Sequence, residues 1–148
     1  TNERDPRYFD VYEYATDGYA RTLLYQDDQG LNVAAVSPDR RYLAIEKTIS
    51  TSDSDVLVYD TRSKSLKNVT MHPAGMQVAS HPQAFSPSGT SLYYTTDHDH
   101  EFAYLVRYDL VTGEHLDLGL AATMDVETPF GIVPLTIDEE GLGIDIEL

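Results

Sequence analysis

Apolar residues in this chain come in short runs, each closed by serine, proline, aspartate or glycine. Residues 31–37, 41–48, 56–60 and 65–70 make one set of such runs, and 82–86, 92–96, 102–109 and 114–118 make a second. Short runs rich in valine, leucine and tyrosine between turn residues predict β-strands. Within them apolar and polar positions hardly alternate. Val56-Leu57-Val58-Tyr59 and Ala103-Tyr104-Leu105-Val106 are apolar on both faces. A sheet with one wet face would show a polar residue at every second position, so these strands belong to sheets covered on both sides. Polar stretches at 49–55 and 97–101 are expected to be loops, and 61–64 and 111–113 tight turns.

The two sets repeat one another. Val36-Ser37-Pro38-Asp39-Arg40-Arg41-Tyr42-Leu43 returns as Phe85-Ser86-Pro87-Ser88-Gly89-Thr90-Ser91-Leu92, and Val58-Tyr59-Asp60 returns as Arg107-Tyr108-Asp109. Both pairs of landmarks are 49 residues apart. Serine first and proline second, with glycine fourth in the later copy, suit a type I turn between two strands. A strand-rich unit repeating every 40 to 50 residues is the signature of propeller blades. The expected fold is therefore all-β, a partial β-propeller of four-stranded antiparallel blades. Full blades are expected at 31–70 and 82–119. Residues 1–26 resemble the last two strands of a preceding blade, and 130–148 a degenerate first half of a following one, with Ile137 to Ile144 matching Phe85 to Leu92 at an offset of 52. Residues 121–134 fit the period worst. Both ends read as cut, so an arc of blades is expected, since closed propellers have 4–8 of them. Its bare blade edges are expected to favour self-association.

Composition narrows the partners. The chain has 148 residues, 41% of them hydrophobic, which is enough for a core. No apolar run approaches the ~18 residues of a membrane-spanning helix, and the start shows no signal-peptide pattern. The compartment stays open between cytoplasm and periplasm. Twenty-five acidic against 10 basic residues leave a formal charge of −15. Such a field repels phosphate backbones and anionic lipid, so neither nucleic acid nor membrane is an expected partner. An acidic solvated surface accounts for the charge; having only Lys47, Lys64 and Lys67 as lysines also fits adaptation to high salt. The chain has no cysteine, which removes disulfides, zinc–thiolate sites and a thiol nucleophile.

Few residues suggest chemistry. Asp97-His98-Asp99-His100-Glu101 is the densest set of metal-ligating side chains, and imidazole with carboxylate suits zinc, manganese or iron. Neighbouring strand residues point to opposite faces, so at most two or three could converge, and a solvated loop is the expected role. His72 and His81, beside Pro73 and Pro82, could each serve as a base but have no nucleophile to serve. Asn68-Val69-Thr70 matches the glycan-acceptor pattern by chance. Asp60 and Asp109 end their strands, where aspartate bonds backbone two residues on and fixes a turn. The 11 tyrosines are expected to pack between blades. No catalytic, cofactor-binding or metal-binding residue is assigned, and no cofactor is expected.

The opening Asn2-Glu3-Arg4-Asp5-Pro6-Arg7-Tyr8-Phe9-Asp10-Val11-Tyr12-Glu13-Tyr14 resembles the propeller of prolyl-oligopeptidase-type serine peptidases, in particular the acyl-aminoacyl-peptidase-like branch. Asp53-Ser54-Asp55-Val56-Leu57-Val58-Tyr59-Asp60 and Phe85-Ser86-Pro87-Ser88-Gly89 share the resemblance. It covers about 1–119. The shorter motifs are also similar to those of TolB-like propellers and WD40-like repeats. Arg40 departs from the pattern, standing where the turn usually has glycine. The family's nucleophile would sit in a G-x-S-x-G elbow; Gly89-Thr90-Ser91-Leu92-Tyr93 lacks the last glycine and reads as strand. What the resemblance implies is a non-catalytic segment that covers an active site and limits access to it. The partners it implies are an α/β-hydrolase domain outside this chain and a peptide passing the propeller. The alternative is a TolB-like module that binds a protein or ligand. A metal-dependent hydrolase built on 97–101 ranks below both.

Overall fold

A computed structural model describes residues 1–119 and, beyond them, the backbone of four three-residue strands. The chain is all-β. β1 (Val11–Tyr14) and β2 (Arg21–Tyr25) form an antiparallel pair. β3 (Asn32–Val36), β4 (Tyr42–Ser50), β5 (Asp53–Asp60) and β6 (Ser65–Asn68) form a four-stranded antiparallel sheet in sequence order. β7 (Ser80–Phe85), β8 (Ser91–Thr96), β9 (Tyr104–Asp109) and β10 (His115–Gly119) form a second sheet of the same order. The architecture is that of a partial β-propeller, with the two sheets as blades. β11 (Val126–Thr128) pairs with β12 (Gly131–Val133), and β13 (Leu135–Ile137) with β14 (Ile144–Ile146). Ile137 is opposite Ile144, as Phe85 is opposite Leu92. The remainder of the expected half blade 130–148, and of 121–134, lies outside the described residues.

Local chemistry explains why the blades repeat. In the β3–β4 turn the amide of Arg40 donates to the carbonyl of Ser37 at 2.9 Å, and in the β7–β8 turn Gly89 donates to Ser86 at 2.8 Å. The serine hydroxyl serves the next strand. Ser37 Oγ accepts from the Tyr42 amide and Ser86 Oγ from the Ser91 amide. Both serines are buried, so each hydroxyl satisfies an amide that water cannot reach. At the other turn Asp60 Oδ1 accepts from the amide of Arg62, and Asp109 Oδ1 from those of Val111 and Thr112. These contacts hold both carboxyls below the usual carboxylate range: for Asp109 the two amides dominate, while for Asp60 amide and Arg41 contacts together outweigh its desolvation.

Packing follows the two-sided pattern. On one face of the first blade Leu43, Ile45 and Leu57 meet Tyr25 and Leu31, with Val11 against them. On the other, Ala44, Val56, Val58 and Val69 meet Leu92, Tyr94, Val106 and Tyr108 of the second blade. Leu43, Ile45, Val56 and Leu92 are wholly buried. At roughly 1.5–3 kcal/mol for each such side chain, the seams between blades are the main source of stability.

β4 and β5 run further into 49–55 than expected. Residues 49–55 are not one loop: Lys47 pairs with Asp55, Thr48 with Ser54 and Ser50 with Asp53, leaving only 51–52 as the turn. On β5 the β6–β7 connector takes up the strand edge where Ser54 and Asp55 are buried, while Lys47 to Ser50 on β4 stay exposed. Ser54 forms a parallel bridge with Ala79 and its amide donates to the Val78 carbonyl at 3.0 Å.

Candidate binding end of the propeller

Consecutive antiparallel strands send their loops alternately to the two ends of the blades. One end receives residues 26–31, 51–52, 69–79 and 97–103; the other receives 15–20, 37–41, 61–64, 86–90 and 110–114. The ends differ in charge. The loops of the first carry Asp27, Asp28, Asp97, Asp99 and Glu101 without a lysine or arginine, whereas those of the second carry Arg40, Arg41, Arg62 and Lys64 against Asp17, Asp39 and Glu114. Ile49, Met71, Met76 and Phe102, all exposed, also lie at the first end.

The 97–101 stretch is at this end, but its side chains have separate occupations. Asp97 Oδ1 accepts from the Ala79 amide at 2.8 Å, which fastens the loop to the connector. His98 Nδ1 lies 3.0 Å from Asp99 Oδ2, and the His100 ring meets Tyr104 edge-on at 4.5 Å. Asp99 adopts φ 59°, turning the chain within the loop. Among the described residues no group of three or more histidine, aspartate or glutamate side chains is arranged to hold a metal ion.

The two histidines near prolines part company. His81 is half exposed with Nδ1 3.3 Å from Glu46. The His72 side chain is buried against β5, with Nε2 3.1 Å from Asp53 Oδ1 and Nδ1 3.4 Å from Asp55 Oδ1. The Asn68-Val69-Thr70 stretch is absorbed into the same cluster. Asn68 donates to Asp55 Oδ2 at 2.9 Å and accepts from the Thr70 amide, while Thr70 Oγ1 accepts from the Val56 amide. No sequence signal marks this cluster, because its members reach one another only when the connector crosses the blade.

Beneath the connector the two blades share a buried polar seam. Ser54 Oγ donates to the Ser80 carbonyl at 2.8 Å and accepts from the Ser80 amide at 3.0 Å; Ser80 Oγ donates to Thr96 Oγ1 at 2.9 Å. Above it opens a recess of about 130 Å³ lined by Thr70, Met71, Ser80, Tyr94, His98 and Tyr104, among others. That is well below the roughly 300 Å³ at which small-molecule sites begin, and suits one inserted side chain. Tyr104 feels the local field: burial, then the carboxylates of Asp117, Asp99 and Asp97, push its phenol above the usual range. Tyr94 is raised by burial, and its hydroxyl meets His115 Nδ1 at 2.8 Å. Burial, and then Lys67, lower His115.

A wider concavity of about 470 Å³ opens at the same end beside the opening segment, where Phe9, Asp27 and Leu31 line it. Arg4 holds this segment down. Its guanidinium bonds both oxygens of Asp10, at 2.8 and 2.9 Å, and reaches the Asp27 carbonyl. Asp10 accepts from the Asp27 amide, and Asp27 Oδ1 caps the amides of Gln29 and Leu31. Tyr25, Tyr93, Tyr94 and Tyr108 are buried between strands, while Tyr14 and Tyr19 are exposed.

No family model matches the chain, and no curated protein matches it significantly. Solved structures do. TolB from Acinetobacter baumannii superposes with a TM-score of 0.53 at 17% identity, covering 93% of this chain and 34% of that one. A protein assigned as TolB from Agrobacterium tumefaciens gives a TM-score of 0.60 at 15% identity, covering 93% of this chain and 54% of that one. A puromycin-hydrolysing peptidase from Mycobacterium tuberculosis is more distant, with a TM-score of 0.47 at 17% identity over 90% of this chain and 20% of that one. The chain thus spans between a third and about half of the TolB structures, and at such identities the likeness is one of fold.

Proposed function

We propose that this chain is a non-catalytic propeller segment of a larger serine peptidase of the prolyl-oligopeptidase type, where it covers the active site and limits access to peptide substrates. The observation that carries this reading is the opening sequence at 2–14, the longest stretch that resembles that family. Hydrolysis then belongs to an α/β-hydrolase domain encoded beyond these residues, and the propeller supplies shape and charge along the route of the peptide. A second reading, a TolB-like module that binds a protein or ligand, draws on the fold likeness to the TolB structures and on the apolar, acidic loop end.

Reading the gene past the codon for Leu148 separates the two. A G-x-S-x-G elbow followed by aspartate and histidine is the expected result. Further blades and a stop codon would overturn the peptidase reading in favour of the binding module. The purified chain is expected to release no product from acyl-aminoacyl p-nitroanilides; turnover abolished by a single substitution in this chain would overturn its non-catalytic role.

A further inference from the structure

We propose that the loop end at the seam of the two complete blades binds a cationic peptide segment, seating one apolar side chain in the recess between Met71 and Tyr104. The inference rests on the reading of this chain as a propeller that meets peptides and adds the place and the chemistry of the contact.

Three observations converge on this seam. The first is shape. The recess is about 130 Å³, and its wall combines a thioether and two phenol rings with the hydroxyls of Thr70, Ser80 and Thr96. An aliphatic side chain fits such a space, whose floor hydroxyls are already bonded to one another and to backbone amides. The second is exposed apolar surface beside the opening. Met71 is 79% exposed and Phe102 65%, in two loops that the Asp97–Ala79 hydrogen bonds tie together. Methionine adapts its shape to an incoming chain, and an aromatic ring offers area at little entropic cost.

The third is charge, and it selects the occupant. Between Lys67 and Arg107 the sequence contains no lysine or arginine, while Asp97, Asp99 and Glu101 stand on the loop that rims the recess. Arg4 is engaged with Asp10 and Asp28, and Arg7 with Asp5. Lys47, exposed on β4, lies opposite Asp55 in the β4–β5 register, but that carboxylate meets Asn68 and His72. Lysine or arginine flanking an apolar residue meets the carboxylates of Asp99 and Glu101 on arrival, whereas an anionic partner is repelled by them. Such complementarity acts on the rate of encounter and on the choice of partner, and weakens with salt.

The test uses the 148-residue chain and three fluorescein-labelled decapeptides in anisotropy titrations at low and physiological salt. One alternates lysine and leucine, one lysine and serine, one glutamate and leucine. The lysine–leucine peptide is expected to bind at least tenfold more tightly than either other peptide. Met71→Ser with Phe102→Ser is expected to weaken it at least fivefold, and Asp99→Asn with Glu101→Gln to weaken it and flatten its salt dependence. These four side chains are exposed, so the variants keep the fold. Asp17→Asn with Glu114→Gln, at the opposite end, is expected to change nothing. Equal binding of the lysine–serine peptide would reduce the effect to attraction by the net charge and overturn the proposal. So would loss of binding in the opposite-end variant alone, or the absence of binding. None of these outcomes bears on whether a hydrolase domain follows in the gene, so the proposal and the peptidase reading fail separately.

Discussion

Arg40 and Lys64 hold backbone positions that glycine holds one repeat later. Their φ angles are both 59°, against 73° at Gly89 and 75° at Gly113. The left-handed region costs a side-chain-bearing residue roughly 1–2 kcal/mol, so the first blade carries strain that the second avoids. At Arg40 the ion pair with Glu13, at 2.8 Å, offsets part of it. A Cβ at Gly113 would meet its nearest atom, Lys67 Nζ, at an ordinary 3.7 Å, so any penalty there comes from φ alone. Gly113→Ala is expected to cost about 1 kcal/mol and Lys64→Gly to gain up to about 1 kcal/mol, less because glycine also frees the unfolded chain. Urea denaturation of the two variants checks this; a neutral Gly113→Ala would remove the argument. The turn aspartates and the Ser-Pro corners were legible in the sequence because each bonds to backbone within five residues. The 97–101 cluster was legible as a set of side chains. That Asp97 turns to the Ala79 amide was not, since that partner stands on the connector, 18 residues away.

At the scale of elements, the question is what joins one blade to the next. Apolar contact supplies most of it, but Ser54, Ser80 and Thr96 place a hydrogen-bonded line through the seam, each less than 5% exposed. Ser54→Ala would leave both the amide and the carbonyl of Ser80 without this partner. With roughly 1–3 kcal/mol for a buried group left unsatisfied, the expected loss is about 2–3 kcal/mol, measured by thermal or urea unfolding. Ser52→Ala, two residues away in the exposed turn, is expected to stay within about 0.5 kcal/mol. Equal effects for the two would show that the seam's hydrogen bonds add nothing to its apolar packing. Strand order and turn positions followed from the repeat. The extension of β4 and β5 through 49–55 did not, because backbone pairing makes no demand on side-chain polarity, whether the strand is exposed, as at 47–50, or edged by the connector, as at Ser54.

For the molecule as a whole, the two-stranded element β1–β2 has one dry face and one bare one. Val11 and Tyr25 pack into the first blade, while Tyr14 and Leu23, 53% and 40% exposed, share the outer face with Tyr12 and the Arg21 guanidinium above its ring. An uncovered apolar face beside an unpaired strand edge favours association. The isolated chain is expected to form concentration-dependent oligomers in analytical ultracentrifugation, and Tyr14→Lys with Leu23→Lys to shift it toward monomer. A monomer at every concentration would contradict the exposed-face argument. By itself the sequence determined the all-β class, the 49-residue unit and its turns, since these rest on short-range hydrogen bonds and on strands apolar on both sides. The tertiary structure alone decided that His72 meets Asp53 and that Met71 and Tyr104 wall one recess. It also gathered at one end the loops that carry acidic residues and no lysine or arginine. Those contacts depend on how blades stack and where the connector crosses, and stacking is set by the fit of whole sheets.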